Sequence, residues 1–305
     1  MRPSLRRLLD HPIDYAGLFP PAEYNMKKAV QEYLSLIRGP EEWIVDRFIC
    51  SATRLEELTR ELKDKEIDPV RVTVIGTQHK DGPGEGVKHD ALEIKKALET
   101  RLVDIEAFEV KVPQGDGLAP AVAAARKLSS HVGDDQLDIY LELGWTDGFV
   151  DAMHDAANLM DDVGFKARTG GVTTDAFPNT PDLAAFISEC AALECPFKFT
   201  AGLHDPVRHY DEDLCVYRHG FLNALLAGAL AVTQDLSRRE IEAVLDLDDP
   251  KKMHFGVDDI RVGEHWLEAE QIEDFWTIFG GFGSCSVSEP LEGLKKLGLM
   301  SEVGS

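Results

Sequence analysis

Residues 164–204 read GFKARTGGVTTDAFPNTPDLAAFISECAALECPFKFTAGLH, and they predict strand, loop, helix, strand. The first strand, 164–168, ends in Thr169-Gly170-Gly171. Thr180 is the expected N-cap of the helix, with Pro181 in its first turn. Leu183, Phe186, Ile187 and Cys190 give that helix an apolar stripe at helical spacing. The second strand, 196–200, runs into Ala201-Gly202-Leu203-His204. Each strand carries a lysine, Lys166 and Lys198, just before a glycine-containing loop. A charged, unpaired lysine in an apolar strand costs several kcal/mol. One such lysine is expected to snorkel to solvent. Two at matching positions point to a functional pocket, because parallel βαβ strands bring their C-terminal ends to one side. Arg168, two residues after Lys166, shares its face.

Outward from this unit the same alternation repeats. Strands are expected at 43–50, 70–76, 103–112 and 137–143, with helices at about 55–64, 89–101, 119–131 and 147–160. Residues 24–38 form an amphipathic helix ended by Gly39-Pro40. Residues 4–22 are expected as a helical turn and an ordered loop plugging the bottom of a barrel. The last strand is expected at 276–282, running into Gly283-Ser284-Cys285-Ser286, and a final helix follows at 290–297. The pattern predicts a TIM-type (β/α)8 barrel, residues 1–305 forming a single domain with 1–40 as an N-terminal loop and helix. This leaves one strand of eight to be supplied from 205–270, which reads as a helical insertion. Lys80–Gly86, KDGPGEG, reads as a polar loop after the second strand.

The composition narrows the function. A net charge of −23 repels phosphate backbones and argues against a nucleic-acid partner. A local pocket of Lys and Arg still admits a small anion. There is no apolar run of membrane-spanning length and no secretory signal, so a cytoplasmic location is expected and a membrane partner is not. The five cysteines are odd in number and scattered, as expected of free thiols. The sequence allows a homo-oligomer.

The two lysine motifs, Lys166-Ala167-Arg168-Thr169-Gly170 and Lys198-Phe199-Thr200-Ala201-Gly202, resemble those of deoxyribose-phosphate aldolase and its class I aldolase relatives. There, a K-x-S/T-T-G strand carries a Schiff-base lysine, and the next strand carries a second lysine before a small-residue turn. The LDIYLELG strand at 137–144 and the C-terminal FGSCSVSEPLEGLKKLGL are similar too, and the likeness runs over about 8–204 and 276–298. It implies that Lys166 forms the imine, that Lys198 lowers its pKa, and that the Gly283–Ser286 turn holds a substrate phosphate. No cofactor is implied. Arg168 departs from the family, which has a small hydroxyl residue there. A guanidinium suggests a bidentate grip on a carboxylate or phosphate.

In a barrel the C-terminal strand ends build the active site. They supply Lys166, Arg168, Lys198, Thr200, Gly202, His204 and Glu142. A carboxylate also comes from VDIEAFEVKVP. Glu106 and Glu109 there differ by an odd number, so alternation points one inward. The resemblance favours Glu106, and proximity to the strand end favours Glu109. Asp138, Tyr140 and Glu142 are expected inside. Gly283, Ser284 and Ser286 offer a nest for an anion. A free amine requires a pKa well below the ordinary 10.4 or so, and Lys198 and Arg168 are expected to provide the lowering. The reading is a lyase acting on a small anionic oxo-substrate through a lysine Schiff base. Its rivals are a metal-assisted lyase or isomerase using Glu142 and His204, and a non-catalytic anion-binding barrel.

Overall fold

The computed structural model describes residues 1–79, 82–113, 115, 117–132 and 137–301. Helix α1 (Pro3–Leu8) leads into β1 (Ile13–Tyr15), α2 (Met26–Leu36), β2 (Val45–Ser51), α3 (Leu55–Leu62), β3 (Val70–Ile75) and α4 (Pro83–Glu99). Next come β4 (Val103–Lys111), α5 (Leu118–Val132), β5 (Asp138–Glu142), α6 (Phe149–Leu159), β6 (Val163–Arg168), α7 (Thr180–Ala192) and β7 (Phe197–Thr200). A hairpin, β8 (His209–Asp211) and β9 (Val216–Arg218), precedes α8 (Phe221–Thr233) and α9 (Arg238–Leu245). The chain ends with β10 (Met253–Phe255), β11 (Asp259–Val262), β12 (His265–Glu268), α10 (Ala269–Trp276), β13 (Phe279–Ser284) and α11 (Ser288–Lys296). Eight strands close into a barrel in the order β1-β13-β7-β6-β5-β4-β3-β2. The fold is therefore the TIM-type (β/α)8 barrel. Two compact units make up the chain, Ile13–Lys166 and Ala167–Ser305 with Met1–Pro12.

In the first unit the strand expected from 205–270 turns out to be β1, inside the segment expected as a plug. Three residues, Ile-Asp-Tyr, pair parallel with β2 at Ile13↔Val45 and Tyr15↔Phe48. So short a strand carries no readable alternation, but all three residues are buried. The strands β2 to β6 pair parallel in sequence order. One irregularity matters. Along β3 and β4, Val72 pairs with Ile105 but Thr73 pairs with Ala107, so Glu106 is an extra residue in a bulge. Residues on either side of a bulge no longer obey strict alternation. Glu106 and Glu109, three apart, therefore end on one face. The expected polar loop at 80–86 is also different. Lys80 and Asp81 lie outside the described residues, and Pro83 opens α4 six residues earlier than the expected helix start.

In the second unit α7 starts as expected, but its cap is Asn179, whose side chain accepts from Asp182 N. Thr180 is the first helical residue, and its Oγ1 donates to Asp246 at 2.6 Å. The apolar helix α8 is buried from Phe221 to Leu230. On β7, Phe197 and Phe199 pack against Phe186 and Phe279, with Phe275 against Phe197. The 205–270 segment holds helices α8 and α9, as expected, but also the β8–β9 hairpin and an antiparallel β10-β11-β12 sheet. Among the described residues no helix is long and apolar enough to cross a membrane.

Candidate active site

The N-terminal part of the barrel strands holds a charge network. Asp14 on β1 accepts from Arg47 N and from Thr73 Oγ1, at 3.3 and 3.2 Å. Arg47 Nε donates to Glu106 at 2.9 Å, and Arg71 grips Glu106 with Nε at 2.5 Å and Nη2 at 2.8 Å. Arg71 also pairs with Asp46. Burial, and then the nearby Asp14 charge, push the Asp46 carboxyl up to about 6. Glu106 is thus committed to two arginines, which hold its carboxyl below the ordinary range despite the opposing effect of burial.

One layer further along the strands the inward side chains change role. Parallel pairing sets Glu109 beside Tyr140, and Glu142 beside Lys166. Register partners in a parallel pair face the same way, so these groups converge. Lys166 Nζ lies 2.5 Å from Glu109 Oε2 and 2.7 Å from Glu142 Oε2. All three are buried, with Lys166 4% exposed. Tyr140 forms the floor. Its ring lies where a side chain at Gly164 would be, with Cδ1 2.6 Å from the position of a Cβ. The structure therefore brings Glu109, not Glu106, to Lys166. Asp138 begins the same strand and is exposed, whereas Tyr140 and Glu142 are buried.

The charge state of Lys166 differs from the expectation. Burial pulls its pKa down, but the charges and hydrogen bonds of Glu109 and Glu142 outweigh burial and leave it above the ordinary lysine value. At rest it is an ammonium clasped by two carboxylates. Arg168, expected as a partly desolvated neighbour, is exposed, and its Nη1 donates to Gly170 O at 3.4 Å.

On the second unit the two glycine turns meet. Thr169 N donates to Thr200 O at 2.8 Å, and Thr169 Oγ1 donates to Ala201 O at 2.5 Å. A Cβ on Gly202 would lie 2.7 Å from Thr169 O and 2.8 Å from Gly170 Cα, and its φ is +80°. Ala201 also has a positive φ, +62°. Only glycine fits position 202, so Gly202→Ala should destabilise the fold by about 2–4 kcal/mol, combining left-handed strain with overpacking. Urea unfolding checks this, and an unchanged midpoint would contradict it. Lys198, two residues before Thr200, is fully buried.

The remaining candidates are more local. His204 Nδ1 lies 2.6 Å from Glu289 Oε2. In the Gly283–Ser286 turn, Ser284 Oγ donates to Ser286 O at 2.6 Å, and Ser286 Oγ lies 3.1 Å from Ser288 Oγ. Gly283 O accepts from Ala201 N at 3.2 Å, which ties this turn to the end of β7. Among the described residues no three or more His, Cys, Asp or Glu side chains are grouped to hold a metal. The pair proposed for a metal is otherwise engaged, Glu142 by Lys166 and His204 by Glu289.

No family model matches the sequence, and no curated protein matches it. Solved structures do. A tetrameric deoxyribose phosphate aldolase from Aeropyrum pernix is 13% identical, with 96% of this chain and 93% of that one covered and a TM-score of 0.49. The Haloferax volcanii malate synthase is 13% identical, covering 96% of this chain and 75% of that one, with a TM-score of 0.40. The 3-keto-D-glucoside 4-epimerase of E. coli is 14% identical, covering 62% and 90%, with a TM-score of 0.30. These likenesses concern the fold and carry no argument about activity, which has to come from the site itself.

Sequence reasoning missed Asp14, Arg47 and Thr73, because β1 was hidden and none of them stands in a motif. The signal available for Glu109 was its nearness to the end of β4.

Proposed function

We propose that the protein is a carbon–carbon lyase acting on a small anionic oxo-substrate through an imine on Lys166. The observation that carries the reading is the buried Lys166–Glu109–Glu142 cluster. A nucleophilic amine must first lose a proton, and a general base within hydrogen-bond reach performs this step. Either carboxylate can take the proton when a bound carbonyl replaces the ion pair. Lys166 Nζ then adds to the carbonyl carbon, and the carbonyl oxygen is protonated. The resulting carbinolamine loses water to give the protonated imine. A carboxylate accepts the proton of the substrate's β-hydroxyl while the Cα–Cβ bond breaks, and its electron pair moves into an enamine. Reprotonation at carbon and hydrolysis return the lysine. Burial makes each of these charge movements strong, because water does not screen them.

For Lys198 the reading retains the role of a cation favouring the free amine. Arg168, Thr200, Gly202 and His204, with the Gly283, Ser284 and Ser286 turn, are proposed for substrate binding. For the turn, crystals soaked in high sulfate should show the anion on its backbone N–H groups. Sulfate filling other sites while leaving this turn empty would remove it from the reading. The reaction itself is tested by screening 2-oxo acids and sugar-phosphate aldehydes for turnover, with and without borohydride. Inactivation that requires both substrate and borohydride supports an imine. Turnover indifferent to borohydride rejects it.

A further inference from the structure

Glycine weakens a strand, and inside one it often marks a close approach by another group. Gly164 is buried in β6, two residues before Lys166 and on the same face. Strand pairing sets Glu109, Tyr140 and Gly164 side by side in one row across β4, β5 and β6. The next row toward the C-terminal ends sets Glu142 beside Lys166, about 6.6 Å further along the strands. Lys166 Nζ nevertheless lies 2.5 Å from Glu109 Oε2. The lysine therefore reaches from its own row on β6 to the row below on β4. Tyr140 stands on the strand between them.

The Tyr140 ring leans over β6. Its Cδ1 and Cε1 lie 2.6 and 2.8 Å from where a Cβ of residue 164 would be, closer than two carbons can pack. Burial, and then the Asp138 charge, push its hydroxyl above the ordinary range, so the ring brings no charge of its own to the lysine. What it contributes is its position. A methyl group at 164 could not share that space with the ring. Ile139 O, 3.1 Å from the same Cβ position, stops the methyl from yielding toward β5. The ring, rooted on β5, would swing toward its other neighbour in the row, Glu109. There it would enter the gap between Lys166 Nζ and the Glu109 carboxylate, while Glu142, one row above, kept its contact.

We propose that Gly164 is a positioning residue of the Lys166 site: lacking a side chain, it seats the Tyr140 ring over β6 and so keeps open the path by which Lys166 Nζ reaches Glu109. The placement of Nζ stands apart from the imine reading, and only its effect on turnover rests on that reading. The test is competitive labelling with acetic anhydride, which acylates free amines. Label on Lys166 is read by mass spectrometry against the exposed Lys63 and followed with pH. Loss of one of two carboxylate partners lowers a lysine pKa by about one unit or more. In Gly164→Ala the pH midpoint of Lys166 labelling should therefore fall by that much, with about tenfold more free amine at about pH 8. Greater access alone would raise labelling without moving the midpoint. Gly164→Ala with Tyr140→Val removes the ring atoms that the methyl meets, and should restore the native midpoint. Should Gly164→Ala fail to fold, the double variant decides, by recovering a cooperative melt together with that midpoint. An unmoved midpoint in folded Gly164→Ala, or a double variant that does not recover the native midpoint, would overturn the proposal. With a substrate that the protein turns over, Gly164→Ala should lower kcat more than it raises KM. A moved midpoint with unchanged turnover would support the positioning and count against the imine.

Discussion

Lys166→Arg should lower turnover by about 10⁴-fold or more, the scale on which an enzyme loses its nucleophile. The variant keeps a cation between Glu109 and Glu142, so the buried carboxylates stay compensated. What it loses is an amine able to form an imine, since a guanidinium stays protonated in proteins. Lys166→Met is the contrasting variant. It leaves two carboxylates buried without their shared cation, and breaking a buried pair in this way costs about 3–5 kcal/mol. Thermal unfolding beside turnover separates the two effects. Arginine should abolish activity with the fold largely kept, and methionine should lower both. Full activity in Lys166→Arg would remove the lysine from the chemistry.

The second large effect is expected from Glu109→Gln with Glu142→Gln. Loss of the proton carriers should lower turnover by about 10²–10⁴-fold. The double variant should also reverse the sign of one contribution to stability. In the native protein Lys166 has a pKa raised above its ordinary value by the two carboxylates. It therefore contributes stability that is fully present below the unfolded pKa, about 10.4, and lost as pH rises through the folded pKa. With both carboxylates neutralised, burial alone acts and lowers the folded pKa below 10.4 or so. Stability should then increase with pH between the lowered pKa and the unfolded one, by up to about 1.4 kcal/mol per pH unit. Urea unfolding at about pH 7 and about pH 9.5 would show the variant gaining stability relative to the native protein. Identical pH slopes for the two proteins would contradict the assigned ion pairs.

The sequence made the barrel legible where its elements were long. The strands at Val70–Ile75 and Val103–Lys111 and the helix at Leu118–Val132 fall within a residue or so of expectation. It hid β1, because three residues cannot show a period of two. It also left Glu106 and Glu109 open, since alternation assumes an unbroken ladder and the bulge at Glu106 breaks it. The charge of Lys166 was misjudged for a different reason. The expectation weighed two cations, while the strand register set Glu142 directly beside Lys166 and brought Glu109 to its Nζ. Register is a property of pairing, and a single strand's sequence does not contain it.

The most direct measurement is the site of the covalent adduct. The protein would be incubated with a substrate that it turns over, reduced with borohydride, digested and mapped by mass spectrometry. The account predicts a single reduced adduct on Lys166, absent from Lys166→Arg. An adduct on Lys198 or another lysine, or turnover with no adduct on any peptide, would contradict it.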